Sequence, residues 1–229
     1  MKIQLPLKFH FRETLSFDNF LMSNNKELIR ILKLMTSLSS PQSVFVWGSL
    51  GSGRSHLCQA VYQQAETDNV KIAYLAMSEK GIEPEVLIQL EQFSIVILDD
   101  IDAVTGEENW DEALFHFYNR LKESAGSLLM TSSVAPKLFE NILPDLQSRL
   151  GWDLVYQLEE LTDADKIQAL SQRASERGLK LSLEAGQYLL NRLPRDTQQL
   201  FATLDVLDSE SLAQKRSLTI PFIKKTLEL

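Results

Sequence analysis

The sequence predicts an α/β fold, a parallel sheet flanked by crossover helices, followed by a small all-helical domain. Three observations carry this expectation. Short β-rich apolar runs alternate with helical patterns over residues 44–156, strand-like runs cease after Leu161, and a Gly-rich octet links the first run to the helix that follows it.

The elements follow in chain order. Ile3, Leu5, Leu7 and Phe9 alternate with Lys2, Gln4, Pro6 and Lys8, and Pro6 argues for an extended edge or tail against a central strand. Asn24 and Asn25 are candidate N-caps of an amphipathic helix, with Leu28, Ile31, Leu32, Leu34, Met35 and Leu38 at helical spacing before Pro41. Candidate strands then occupy 44–47, 72–75, 95–98, 128–130 and 154–156, and helical patterns fall after Arg54, around 85–91, at 109–122 and at 145–150. The third run is apolar throughout, which predicts a central strand buried on both faces. Thr162 to Asp165 reads as a capping box with Asp in the Glu place, opening a helix that ends at Gly178. Further helical patterns cover 183–193, closed by Pro194, then 196–212, and a last one follows Pro221.

A length of 229 residues accommodates one large domain or two small ones, and 44 % hydrophobic against 24 % charged residues excludes a disordered chain. The boundary falls near 158–161, giving a flexible tail at 1–12, an α/β domain at 13–160 and a helical domain at 161–229. Charge divides at the same place. Residues 1–160 carry 13 basic and 22 acidic side chains, against 10 and 9 in 161–229, so the net charge of -8 belongs to the larger part. That balance lacks the basic footprint of a protein that grips duplex DNA by its phosphates. Cys58 is the single cysteine, and with only His10, His56 and His116 no zinc-finger spacing exists. The absence of a signal-peptide pattern and of any 18-residue apolar run leads us to expect a cytoplasmic protein.

Two motifs carry chemistry. Gly48-Ser49-Leu50-Gly51-Ser52-Gly53-Arg54-Ser55 has the spacing of a phosphate loop, with Arg54 in the lysine place. Glycines let backbone N–H groups turn inward around phosphate oxygens, the following helix adds its positive end, and the Ser55 hydroxyl is placed to reach Mg2+. The second is the apolar strand 95–98 running into Asp99 and Asp100, the arrangement that holds magnesium and poises water. A ligand-free Gly/Ser turn and a strand ending in an acidic turn are the plain alternatives. Arginine is a planar fork where lysine is a point charge, so binding of a di- or triphosphate is expected and efficient turnover is not.

The phosphate loop extended to His56-Leu57, the stretch Ile97-Leu98-Asp99-Asp100-Ile101-Asp102, the run Leu114 to Leu121 and the run Leu146 to Trp152 resemble the AAA+ module of the DnaA family. Its shorter Hda-type members are more similar still, with a Gly-Arg-Ser phosphate loop and an ending like 218–224. The resemblance spans about residue 24 to the C-terminus. It implies an AAA+ P-loop NTPase-type sheet with a helical lid, and a regulator that is not itself an enzyme. Such proteins inactivate the replication initiator DnaA. They bind the sliding clamp, the beta subunit of DNA polymerase III, through an N-terminal peptide and hold ADP, with ATP the other candidate. They then make DnaA hydrolyse its ATP.

By this resemblance Arg149 is an arginine finger given in trans, and Gln4, Leu5, Leu7 and Phe9 match the clamp-binding pattern. The nucleotide contacts are Gly48, Gly51, Ser52, Gly53, Arg54, Ser55, Asp99, Asp100 and Arg195, with Ser55 and Asp99 toward metal. Without the resemblance, Arg149 reads as a surface salt bridge and the tail as an edge strand. The chain departs from the pattern at Ser132-Ser133-Val134, where an acidic side chain is lost, and at Gln198, which stands in the sensor-II arginine place one turn after Arg195. The rival readings are an autonomous P-loop ATPase and a helicase-loader-like adaptor at the origin. A homodimer is one assembly the sequence leaves open, DNA is reached through partners, and no membrane is involved.

Overall fold

The computed structural model describes residues 15–21, 24–37, 41–152, 154–194, 196–214 and 217–229. The first helix, α1 (Lys26–Thr36), precedes a regular alternation: β1 (Ser43–Trp47), α2 (Arg54–Thr67), β2 (Ile72–Ala76), α3 (Val86–Leu90), β3 (Ile95–Asp99), α4 (Glu108–Glu123), β4 (Ser127–Ser132), α5 (Pro144–Leu150) and β5 (Leu154–Gln157). The strands form one parallel sheet in the order β2-β3-β4-β1-β5. This is the AAA+ P-loop type of sheet, with helices on both faces.

Strand periodicity explains the layering. Along β1, Val44 and Val46 point to the face covered by α1 and α2, joining Leu32, Leu57 and Val61, while Phe45 points to the face that holds Leu87, Leu114 and Phe117. Along β3 the same alternation sends Ile95 and Ile97 one way and Val96 and Leu98 the other. All five β3 residues are buried and β3 is an interior strand paired on both sides, by β2 and β4, as the apolar run requires.

A correction concerns the capping role of Asn25. It holds the N-cap position of α1 without a side-chain cap. Its Oδ1 instead accepts the Glu159 N–H at 3.2 Å, and Asn24 Nδ2 donates to Glu159 Oε2 at 2.7 Å. The two asparagines thereby tie the start of α1 to the segment that leaves β5.

The chain divides into two compact units, one ending at Glu159, the other comprising Leu50–Ser52 and Glu160–Leu229. The helices of the second are α6 (Asp163–Glu176), α7 (Leu183–Arg192), α8 (Thr197–Gln214) and α9 (Ile220–Leu227). The Thr162/Asp165 capping box is present in both directions, and Gly178 takes a φ of 74° just past α6. Ile167, Leu170, Leu189, Leu204, Leu207, Phe222 and Ile223 make this unit's own core. It is an all-helical lid.

Candidate functional site

The phosphate loop leaves the sheet between the C-terminal ends of β1 and β4, where Gly48 N–H donates to Ser132 O at 3.2 Å. Gly51 and Gly53 have φ of 79° and 102°, and Gly53 is the N-cap of α2, supplying no side chain to its free N–H groups. Ser52 Oγ has no hydrogen-bond partner among the described residues. A Cβ on Gly53 would lie 3.0 Å from Phe20 Cε2. Phe20 in turn meets the His56 ring edge-on at 5.1 Å, and His56 Nε2 lies 3.0 Å from both Ser16 O and Asn19 Oδ1. Sequence reasoning missed this brace; the pair Phe17 and Phe20 ahead of α1 was its available signal.

Arg54 begins α2 and is 7 % exposed. Its Nη1 lies 2.9 Å from Asp100 Oδ1, yet neither atom has an aligned hydrogen bond, so the two are in charge contact only. Asp100 reaches that position because it adopts a left-handed conformation (φ 58°, ψ 54°), held by donation of its N–H to Thr131 Oγ1 at 2.9 Å. Burial and then the neighbouring Asp99 charge push the Asp100 carboxyl above its ordinary value, against the pull of Arg54.

Asp99 is built differently. It is 3 % exposed, with Oδ1 accepting from Thr131 Oγ1 and Oδ2 from Tyr74 Oη at 2.7 Å. The Cys58 thiol lies 3.6 Å from Oδ1. Burial, reinforced by the Asp99 charge, drives both the Cys58 thiol and the Tyr74 phenol well above their usual ranges. Both Asp99 oxygens thus accept protein hydrogen bonds, and a magnesium ion held by Ser55 and Asp99 would draw its remaining ligands from phosphate and water. The donors of the loop, α2 and Arg54 fit an anionic phosphate chain.

At 132–134 the acid missing from the sequence is supplied in space. Ser133 Oγ and N–H both donate to Asp102 Oδ2, the N–H at 3.2 Å. Asp102 sits on the turn Ile101–Ala103 that follows Asp100.

Arg149 lies near the end of α5, where Leu146 and Leu150 turn inward to the core. Its guanidinium stacks 4.9 Å from the Trp152 ring and 6.0 Å from that of Phe115. Among the described residues no carboxylate pairs with it. Gln4, Leu5, Leu7, Phe9 and Arg195 lie outside the described residues, and Gln198 falls within α8.

A family model for the bacterial DnaA ATPase domain matches residues 11–157. The chain belongs to the DnaA ATPase-domain family. A second model, for the Hda lid domain, matches residues 163–227, so the DnaA-family sheet here carries an Hda-type lid. An uncharacterized protein of Haemophilus influenzae is 39 % identical over 231 residues, with both chains covered in full. Domain III of the Thermotoga maritima replication initiation protein DnaA has the same fold, with a TM-score of 0.81 at 16 % identity over 96 % of this chain and 98 % of that one. AMPPCP-bound DnaA from Aquifex aeolicus aligns with a TM-score of 0.71 at 20 % identity, covering 87 % of this chain and 66 % of its own. A DnaA-like AAA+ domain joined to an Hda lid is the architecture of a replication-initiation regulator. No helix among the described residues is long and apolar enough to cross a membrane.

Proposed function

We propose that this DnaA-family protein inactivates DnaA: with the DNA-loaded sliding clamp it stimulates hydrolysis of DnaA-bound ATP, and Arg149 acts on that nucleotide in trans. One observation carries the reading. Arg149 is held by two aromatic rings with no carboxylate partner among the described residues, leaving its N–H fork for an external oxyanion. A guanidinium against a γ-phosphate stabilises transition-state charge and typically contributes about 10³ to 10⁵ in rate.

The protein's own site serves a different purpose. Gly51, Gly53, Arg54 and the first turn of α2 would hold the phosphates of ADP, with Gly48, Ser52 and Ser55 along the loop. A bound diphosphate supplies negative charge that completes this donor set. Arg54 faces Asp100 and Asp99 is occupied by Tyr74 and Thr131, an arrangement that favours holding a nucleotide over hydrolysing one. Gln4, Leu5, Leu7 and Phe9 are the clamp-binding peptide in this reading, and the protein works in the cytoplasm.

The test follows nucleotide bound to DnaA after addition of DNA-loaded clamp and this protein. Native protein should convert the ATP to ADP, Arg149→Ala should abolish conversion while still binding clamp, and joint replacement of Leu7 and Phe9 by alanine should remove clamp pull-down. Robust magnesium-dependent hydrolysis by the isolated protein would overturn the regulator reading and favour an autonomous ATPase.

A further inference from the structure

An arginine that must act on another molecule's phosphate needs two things: free donors and a fixed direction. A carboxylate partner would give direction at the expense of donors. Here direction has another source. Just after α5 the chain turns at Gly151, and Trp152 N–H donates to the carbonyl of Arg149 itself at 3.2 Å. That hydrogen bond brings the Trp152 indole back over the Arg149 guanidinium, 4.9 Å from ring to cation. Trp152 is 68 % exposed, so an indole of this size contributes little to the core at that place. Phe115, packed partly into the core from α4, presents a second ring at 6.0 Å. Both contacts place the guanidinium over an aromatic ring, which neutralises none of the N–H donors.

We propose that Trp152 is a positioning residue for Arg149: it orients the guanidinium toward a nucleotide phosphate of a partner without taking up its hydrogen-bond donors. The inference rests on the trans-acting role of Arg149. A planar cation on a flexible stem loses rotamer freedom when it engages a phosphate, and prior stacking removes part of that loss before the encounter. Trp152 touches neither the partner's nucleotide nor the reacting atoms in this role; it acts through Arg149.

The experiment measures DnaA-bound ATP hydrolysis across a range of concentrations of this protein, with DNA-loaded clamp present. Trp152→Ala should lower the maximal rate by on the order of tenfold while moving the half-saturating concentration less than about twofold, the range a stacked cation contributes. Trp152→Phe should recover most of the rate, because it retains a ring face. Trp152→Ala added to Arg149→Ala should cause no further loss. A native maximal rate in Trp152→Ala, or a raised half-saturating concentration at an unchanged maximal rate, overturns the proposal; the second result makes Trp152 a partner contact. If Arg149→Ala itself leaves stimulation intact, the functional reading fails first, which separates the two failures. The urea midpoint of Trp152→Ala, expected to match the native one, excludes unfolding as the cause.

Discussion

The contact between Arg54 and Asp100 makes nucleotide affinity depend on a competition. A phosphate that recruits Arg54 must draw it from the carboxylate 2.9 Å away. At an effective dielectric constant of 20, unit charges at 2.9 Å attract by about 6 kcal/mol. Much of that is lost here, because the Asp100 side chain is 34 % exposed and the atoms lack an aligned hydrogen bond. About 1–2 kcal/mol remains as the cost of separation. Asp100→Asn preserves the shape and tolerates the left-handed backbone, so it should tighten ADP binding by about 5- to 30-fold. Calorimetric titration without magnesium keeps metal coordination out of the measurement. The substitution also removes a negative charge near a polyanion, an effect independent of Arg54. Repeating it in an Arg54→Ala background isolates the competition: most of the gain should disappear there. Native-like or weaker ADP binding by Asp100→Asn, or an undiminished gain without Arg54, would refute the reasoning.

Thr131→Val should lower stability by about 2–3 kcal/mol in urea unfolding, because Oγ1 both donates to Asp99 and accepts the Asp100 N–H. Stability should also fall as pH rises beyond about 9–10, the ordinary thiol and phenol values. The folded state keeps protons on Cys58 and Tyr74 there while the unfolded chain releases them; that contribution is complete below the unfolded pKa values and declines above them. Tyr74→Phe should flatten this alkaline slope in pH-dependent urea midpoints. In the lid, a Cβ on Gly186 would sit 2.9 Å from Ile167 Cγ2, so Gly186→Ala should cost about 1–3 kcal/mol, and Ile167→Ala in the same chain should remove most of that increment.

The strands and lid helices were legible because their signals are local. Five apolar runs, the Thr162/Asp165 box and Gly178 each declare themselves within a few residues, and the phosphate loop does so by spacing. The site's wiring is not local. Arg54 meets Asp100 only because Asp100 turns left-handed, and Asp99 is occupied because β2 and β4 bring Tyr74 and Thr131 beside it from 25 and 32 positions away. The same applies to Asp102, which restores near Ser133 an acid that its own triplet lacks. Trp152 looked like part of a motif, and its stacking on Arg149 depends on the turn at Gly151. A side chain's type reveals what it could do; the fold decides which partner occupies it first.

The strand order also has a consequence for how the chain is made. β1 is flanked by β4 and β5, and its first partner in register, Leu128 opposite Ser43, emerges 85 residues later. At about 5–20 residues per second, β1 leaves the ribosome roughly 4–17 s before either neighbour can pair with it. Through that interval β1 stands with both edges unpaired, joined in its later part by β3 with the edge opposite β2 still open, and such valine- and isoleucine-rich edges are the surfaces most prone to intermolecular pairing. The insertion of one late strand, β4, joins the phosphate-loop half of the sheet to the acidic half. Truncated chains that stop before Ser127 therefore carry the phosphate loop and Asp99-Asp100 but lack the strand that joins them in one sheet.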